Sequence, residues 1–332
     1  MNQPNRRQFL LNAGKALGGL ALVNATSRWA FATKNPVSDL IHRSSWAMGT
    51  SIRVSMPQDI FTSNLADSSF KSLQRVDSLL SAHNEQSALM RMNASAGVWS
   101  NGRELVDVSR AAHLIGEQTS GALDVTVLPA MRRFGFIPGK VSAVDRIDYT
   151  KLEVRGDAAR ISESGFGADF GGIAKGYGVD EAISALRTGG VQTALVDAGG
   201  DLFALGRPDA DRLWKIGIRH PELENQLVAT LELENEAVAT SGIYEQKHVV
   251  NGIEISHLID PKTGTPVNHV VSATIIAGNT MMADGLATAT SILQPKAAQA
   301  LIESMHGVEG FWIYSDGTHY ITKGLRSRLH LV

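Results

Sequence analysis

The 332-residue sequence predicts an α+β fold, with mixed sheets and helices packed on them. Three observations lead there. Amphipathic helical stretches and strand-like runs are interspersed without a regular βαβ period, which argues against a doubly wound parallel sheet. No internal repeat or low-complexity linker divides the chain. Hydrophobic residues make up 43% and charged residues 19%, an ordinary globular balance that supplies a full core. One compact unit is the simplest reading, with a two-lobed arrangement as the alternative at this length.

The elements follow in chain order. Ser45–Met56 alternates in part and reads as a strand beginning at a Gly turn. In Ser68–Leu80, residues Phe70, Leu73, Val76, Leu79 and Leu80 recur at helical spacing. Leu105–Thr119 places Val108, Ala111, Ala112 and Ile115 on one helical face, and Ala174–Leu186 is a third helix, stopped by Gly189-Gly190. Strand-like runs follow at Thr193–Asp197, Leu213–Arg219, Leu227–Leu233 and Val270–Ile276. Helices over Met281–Ile292 and Pro295–Met305 precede a closing hairpin, Phe311–Tyr314 and Thr318–Thr322, turning at Asp316-Gly317.

Ahead of these lies a segment of another kind. Asn5-Arg6-Arg7-Gln8-Phe9-Leu10 sets twin arginines before a mildly apolar, Gly/Ala-rich run, and Ala30-Phe31-Ala32 offers small residues at cleavage spacing. Residues 1–32 therefore read as a twin-arginine export signal, leaving 33–332 as the mature domain and a periplasmic destination. The run is short for a membrane span and contains Lys15. Cysteine is absent, which removes disulfides, thiolate chemistry, cysteine zinc sites and a lipid-modified cysteine. The net charge of -2 gives no broad attraction to nucleic acid or anionic membrane, so any anion site is local.

Four segments could carry chemistry. Asp169-Phe-Gly-Gly-Ile-Ala-Lys-Gly176 leads into a helix, and its glycines let backbone N–H groups face a phosphate while Lys175 adds charge. A tight loop-to-helix turn would look the same. Asp197-Ala-Gly-Gly-Asp201 follows a strand and is either a ligand loop or a strand-ending turn. His257 precedes the turn Asp260-Pro-Lys-Thr-Gly264, where it could transfer protons near neutral pH or serve only as a packed residue. Asp284 and Thr288, at i and i+4, converge on one helix face and suit Mg2+, or else cap the helix and bond back to it.

In order, AMGT (Ala47–Thr50), GALDVT (Gly121–Thr126), DFGGIAKGYGVD (Asp169–Asp180), DAGGD (Asp197–Asp201), ATSG (Ala239–Gly242), HLIDPKTGTPV (His257–Val267) and ADGLATA (Ala283–Ala289) resemble the ApbE family of FAD:protein FMN transferases. The resemblance covers about Ser44 to Leu325. It implies an ApbE-like fold and a Mg2+-dependent enzyme that cleaves FAD, attaches FMN to a Thr or Ser hydroxyl of another protein, and releases AMP. It further implies Asp284, Thr288 and the Gly172 carbonyl as metal ligands. Met48, Ala122, Leu123, Asp124, Asp169, Lys175, Ser241, Leu258 and Ile259 are implied at the FAD site, with His257 and Lys175 catalytic. His83 stands about where family members carry an aromatic residue beside the flavin, and is taken as a flavin-site residue that departs from the pattern. The implied partner is an exported or membrane flavoprotein of an electron-transfer system, of the Na+-pumping, Rnf or nitrous-oxide-reductase-associated kind. A FAD pyrophosphatase and a non-catalytic flavin-binding protein are the alternatives.

Overall fold

Residues 40–142, 145–223, 225–250 and 252–332 are described by the computed structural model of the chain, and the expected signal, 1–32, lies outside them. Eight strands form the main sheet: β1 (Leu40–Ala47), β2 (Thr50–Pro57), β3 (Ala194–Ala198), β4 (Asp201–Leu205), β5 (Glu236–Gly242), β6 (Val270–Ala277), β7 (Glu309–Tyr314) and β8 (His319–Ile321). They lie side by side in chain order, each antiparallel to the next. The α+β class expected from the sequence is the one observed.

Alternation along the strands divides the sheet's two faces. Ala194, Val196, Phe203, Ala237, Ala239, Ala273 and Ile275 belong to the larger core, shared with the helices. Leu195, Leu202, Ala204, Val238 and Ile276 belong to a smaller core. The strands Trp214–Arg219, Leu227–Leu233 and Leu329–Leu331 form a second sheet covering that smaller core. The result is a layered body rather than two lobes.

Seven α-helices are found among the described residues: α1 (Ser63–Leu80), α2 (Ala88–Ala94), α3 (Arg103–Gln118), α4 (Leu128–Arg133), α5 (Ala174–Thr188), α6 (Thr280–Ile292) and α7 (Pro295–Ser304). α5 packs between α1 and α6, and α6 lies on β5 and β6. A Cβ on Gly176 would come within 2.3 Å of the Thr280 carbonyl oxygen, so glycine is what lets α5 and α6 approach this closely. Asp180 of α5 accepts from the backbone N–H groups of Thr280 (2.8 Å) and Met281 (2.9 Å), satisfying the start of its neighbour.

Two local expectations change. The single strand over Ser45–Met56 is a hairpin: β1 and β2 turn at Met48 (φ 54°) and Gly49 (φ 71°), within the stretch expected to be extended. The first helix begins earlier, at Ser63, because Thr62 accepts from Leu65 N–H and caps it. The ATSG motif lies on β5, a buried strand whose small residues carry little periodic signal.

Candidate active site

α5 and α6 start side by side, and the polar groups of the site lie at their junction. Asp284 is 2% exposed, yet it does not cap its own helix. Asn279 does that, accepting from Met282 N–H at 2.8 Å. One Asp284 oxygen instead accepts the N–H of Gly176 at 3.0 Å, putting a carboxylate at the positive end of α5. Its other oxygen lies 3.7 Å from Lys175 Nζ. Lys175 also forms an ion pair with Asp201, whose side chain is 2% exposed at the head of β4.

Thr288, one turn beyond Asp284, does not bond back to its own helix. Its hydroxyl donates to the Gly172 carbonyl at 3.2 Å and lies 3.4 Å from Ser241 Oγ on β5. The helix-cap alternative for Asp284 and Thr288 is thereby set aside. Three elements bring Gly172, Lys175, Ser241, Asp284 and Thr288 together, and Asp201 joins them through Lys175.

The loop before α5 is held from outside. Asn93 of α2 donates to Ala168 O at 2.8 Å and accepts from Ala168 N–H at 2.7 Å, while Asp169 accepts from Gly171 N–H at 3.0 Å. The Gly171 and Gly176 N–H groups are bonded to carboxylates of the chain itself, Asp169 and Asp284. The Gly172 carbonyl and the Lys175 ammonium are the groups this turn contributes.

Electrostatics concentrate here. Burial raises the pKa of both Asp201 and Asp284; Asp284 adds to the rise at Asp201, and Lys175 opposes it at both. Burial works against a charged Lys175, but Asp201, Asp284 and Glu245 together hold its pKa above the ordinary value. Loss of solvent pushes Glu245 up to about 7 against the pull of Lys175 and Arg219. Three carboxyl groups and one ammonium thus interact in a poorly solvated place, where burial works against the ionised carboxylates and a bound divalent cation would favour them.

Among the described residues, no group of three or more His, Asp or Glu could hold a metal ion. An ion at this junction would need hydroxyl and main-chain oxygens as well. Asp284, Thr288 and Gly172 supply one of each, all hard donors, and adjacent ligands of an octahedral Mg2+ are about 3.0 Å apart. The 3.2 Å between Thr288 Oγ1 and Gly172 O is close to that edge. The residues fit the ion.

His257 lies beyond the hairpin of Lys247–Val250 and Ile253–Ser256. Its backbone N–H and its Nδ1 both bond to Gln246 O, at 3.2 and 3.3 Å. A carbonyl oxygen only accepts, so Nδ1 carries the proton and the neutral ring keeps its lone pair on Nε2. Burial pushes the His257 pKa down to about 4, and the charge of Lys175 adds to the fall. The imidazole is therefore neutral at pH 7 and within electrostatic reach of the cluster.

The remaining expected residues take other places. Met48 N–H donates to Asp77 at 2.8 Å, and its sulfur packs on Gly178 of α5, where a Cβ would come within 2.8 Å. Ala122, Leu123, Leu258 and Ile259 are buried, and Leu123 packs near Gly285, beside Asp284. Asp124 is engaged by Thr126, accepting from its N–H (2.8 Å) and hydroxyl (2.6 Å). His83 is exposed on the turn after α1. Burial raises the pKa of Asp169, and the charge of His83 counters that rise. Sequence reasoning missed Asn93 and Glu245; Asn93 lies on α2, a helix too short for its spacing to stand out, and Glu245 in a loop with no periodic signal.

The model of the ApbE family matches residues 48–312. A FAD:protein FMN transferase of Klebsiella pneumoniae is 31% identical over 265 residues, 74% of this chain and 75% of that protein. One of Treponema pallidum is 30% identical over 291 residues, 79% of this chain and 80% of that protein. Among solved structures, the ApbE protein of Thermotoga maritima superposes with a TM-score of 0.79 at 27% identity, covering 87% of this chain and 99% of that one. The flavin transferase ApbE of Vibrio cholerae gives 0.77 at 28% identity, covering 87% and 99%.

Proposed function

The chain belongs to the ApbE family, and on that premise we propose that it transfers FMN from FAD to a Thr or Ser hydroxyl of an acceptor flavoprotein, releasing AMP. The observation that carries this reading is the junction of α5 and α6, where Lys175, Asp284, Thr288 and the Gly172 carbonyl meet.

Asp284, Thr288 and Gly172 O would hold Mg2+. When bound, the ion supplies charge neutralisation and Lewis-acid polarisation at the pyrophosphate. Lys175, steered by Asp201, places a second positive charge beside the phosphate undergoing substitution. The acceptor oxygen forms a bond to the phosphorus of the FMN half, the P–O bond to AMP breaks, and AMP leaves with the bridging oxygen. The hydroxyl proton must leave as this happens. His257 is oriented for that task, because Gln246 O fixes its Nδ1–H and frees Nε2 to accept.

The twin arginines Arg6-Arg7 support export before the reaction and an acceptor outside the cytoplasm. On that basis the acceptor is an exported or membrane-bound flavoprotein of an electron-transfer system. Incubation with FAD, Mg2+ and such a domain, followed by denaturing electrophoresis, tests the proposal. An acceptor band with flavin fluorescence is expected; fluorescence only in the free-nucleotide fraction would contradict it.

A further inference from the structure

We propose that the end of α4, through Phe136 and Arg133, is a brace that positions His257, an inference that rests on the proton role given to His257 above. Gly135 (φ 81°) ends α4 in a Schellman turn: its N–H donates to Arg132 O at 3.1 Å, and that of Phe136 to Met131 O at 2.9 Å. The Phe136 backbone is thereby fixed to the helix. Phe136 is 8% exposed, and its ring meets the His257 ring edge-on, with centroids 6.4 Å apart and planes at 68°. It also packs on His248 of the hairpin, at 4.7 Å and a 39° tilt. Both separations are those of aromatic contacts.

Arg133, in the last turn of α4, holds the chain that follows His257. Its guanidinium donates to Gly264 O and pairs with Asp145 at 3.0 Å. Gly264 closes the turn that begins at Asp260, donating its N–H to Asp260 O at 2.7 Å. His257 is thus held upstream by Gln246 O, downstream through Arg133, and against its ring by Phe136. One bond at Nδ1 leaves an imidazole free to tilt about it; the phenyl edge limits that swing and keeps water from one side of the ring. Among the charged and titratable groups around it, Lys175 acts on the ring directly and Glu245 acts on Lys175. His248 shares the Phe136 ring, Lys247 and Glu254 of the hairpin pair with each other, and Asp260 accepts Lys262 N–H at 2.9 Å.

Phe136→Ala opens His257 to water. Nuclear magnetic resonance titration of the His257 imidazole in the full chain, assigned against His257→Ala, should show its pKa rising from about 4 toward the ordinary 6.5. Transfer by the variant, relative to the parent, should then fall about tenfold further at pH 5.5 than at pH 8, because a neutral imidazole is the base. The KM for FAD should stay that of the parent, and Phe136→Leu, which keeps most of the bulk, should restore both readings. Arg133→Gln, at a side chain 42% exposed, frees the turn without emptying the core. It should move the titration the same way, and it carries the test if Phe136→Ala does not fold. An unmoved titration in the folded variants, with a transfer ratio constant across pH, overturns the brace and leaves the transferase reading standing. A raised titration in the variants beside a parent that transfers no FMN supports the brace and overturns the transferase reading.

Discussion

Oδ2 of Asp284 accepts the backbone N–H of Gly176 at 3.0 Å, fastening α6 to the first turn of α5. The bond crosses a helix contact that Gly176 makes possible by lacking a side chain. A single carboxylate therefore both joins two helices and faces Lys175. Two substitutions separate those roles. Asp284→Asn keeps an oxygen for Gly176 but removes the charge, so it should melt close to the parent and lose Mg2+-dependent transfer. Asp284→Ala should lose transfer and also about 1–3 kcal/mol of stability, from a buried N–H left without a partner. Thermal melts and an Mg2+ titration of activity check both.

Much of this arrangement was legible in the sequence, and the reasons for the gaps are physical. Helical spacing placed α3, α5, α6 and α7 to within a residue or two, because their buried faces repeat at 3.6 residues. The i, i+4 spacing of Asp284 and Thr288 put them on one face, but could not tell a metal ligand from a cap. The groups they bond to in place of their own helix lie far along the chain, at Gly176 and Gly172. β5 and β4 escaped notice since strands buried on both faces lack alternation. The Met48 turn was hidden because methionine rarely adopts a positive φ; here Asp77 holds it.

Among the described residues, Lys175 is the one ammonium paired with Asp201. Lys175→Met should leave a buried carboxyl alone and cost up to about 3–5 kcal/mol near neutral pH. The sign follows from Asp201, whose folded pKa is already raised and would rise further without the lysine. Stability linked to such a group is full below its unfolded pKa and is lost as pH rises through the folded value. The gap between parent and variant should therefore be wider at pH 8 than at pH 5 in denaturant titrations. Adding Asp201→Asn should close part of it.

A Cβ on Gly172 would stand 2.9 Å from both Cγ2 and Oγ1 of Thr288. Gly172→Ala should push that hydroxyl away from the Gly172 carbonyl. Mg2+ affinity for activation should fall on the order of tenfold or more, while the cost in stability stays within about 1–3 kcal/mol. Gly176→Ala meets backbone rather than side chain and should lose stability more severely. Melting temperature and Mg2+ dependence, measured together, distinguish the two.

His257 has its pKa pushed down to about 4. A lowered histidine favours the folded state above the unfolded pKa, near 6.5, and that contribution is lost as pH falls toward 4. His257→Ala should therefore differ from the parent by a constant amount above about pH 6.5, and the difference should shrink in the variant's favour on acidification. In kinetics the same variant should bind FAD as the parent does and transfer almost no FMN. Near-normal transfer would remove His257 from the proton step.

The transfer itself is tested most directly by the intact mass of an acceptor domain incubated with FAD and increasing Mg2+, with released AMP quantified in the same samples. One FMN per acceptor, less one water, should appear in step with AMP, saturate with Mg2+, and vanish with Asp284→Asn. Equal release of free FMN and AMP over an acceptor of unchanged mass would show water, not a protein hydroxyl, attacking the phosphate, and would contradict the proposed transfer.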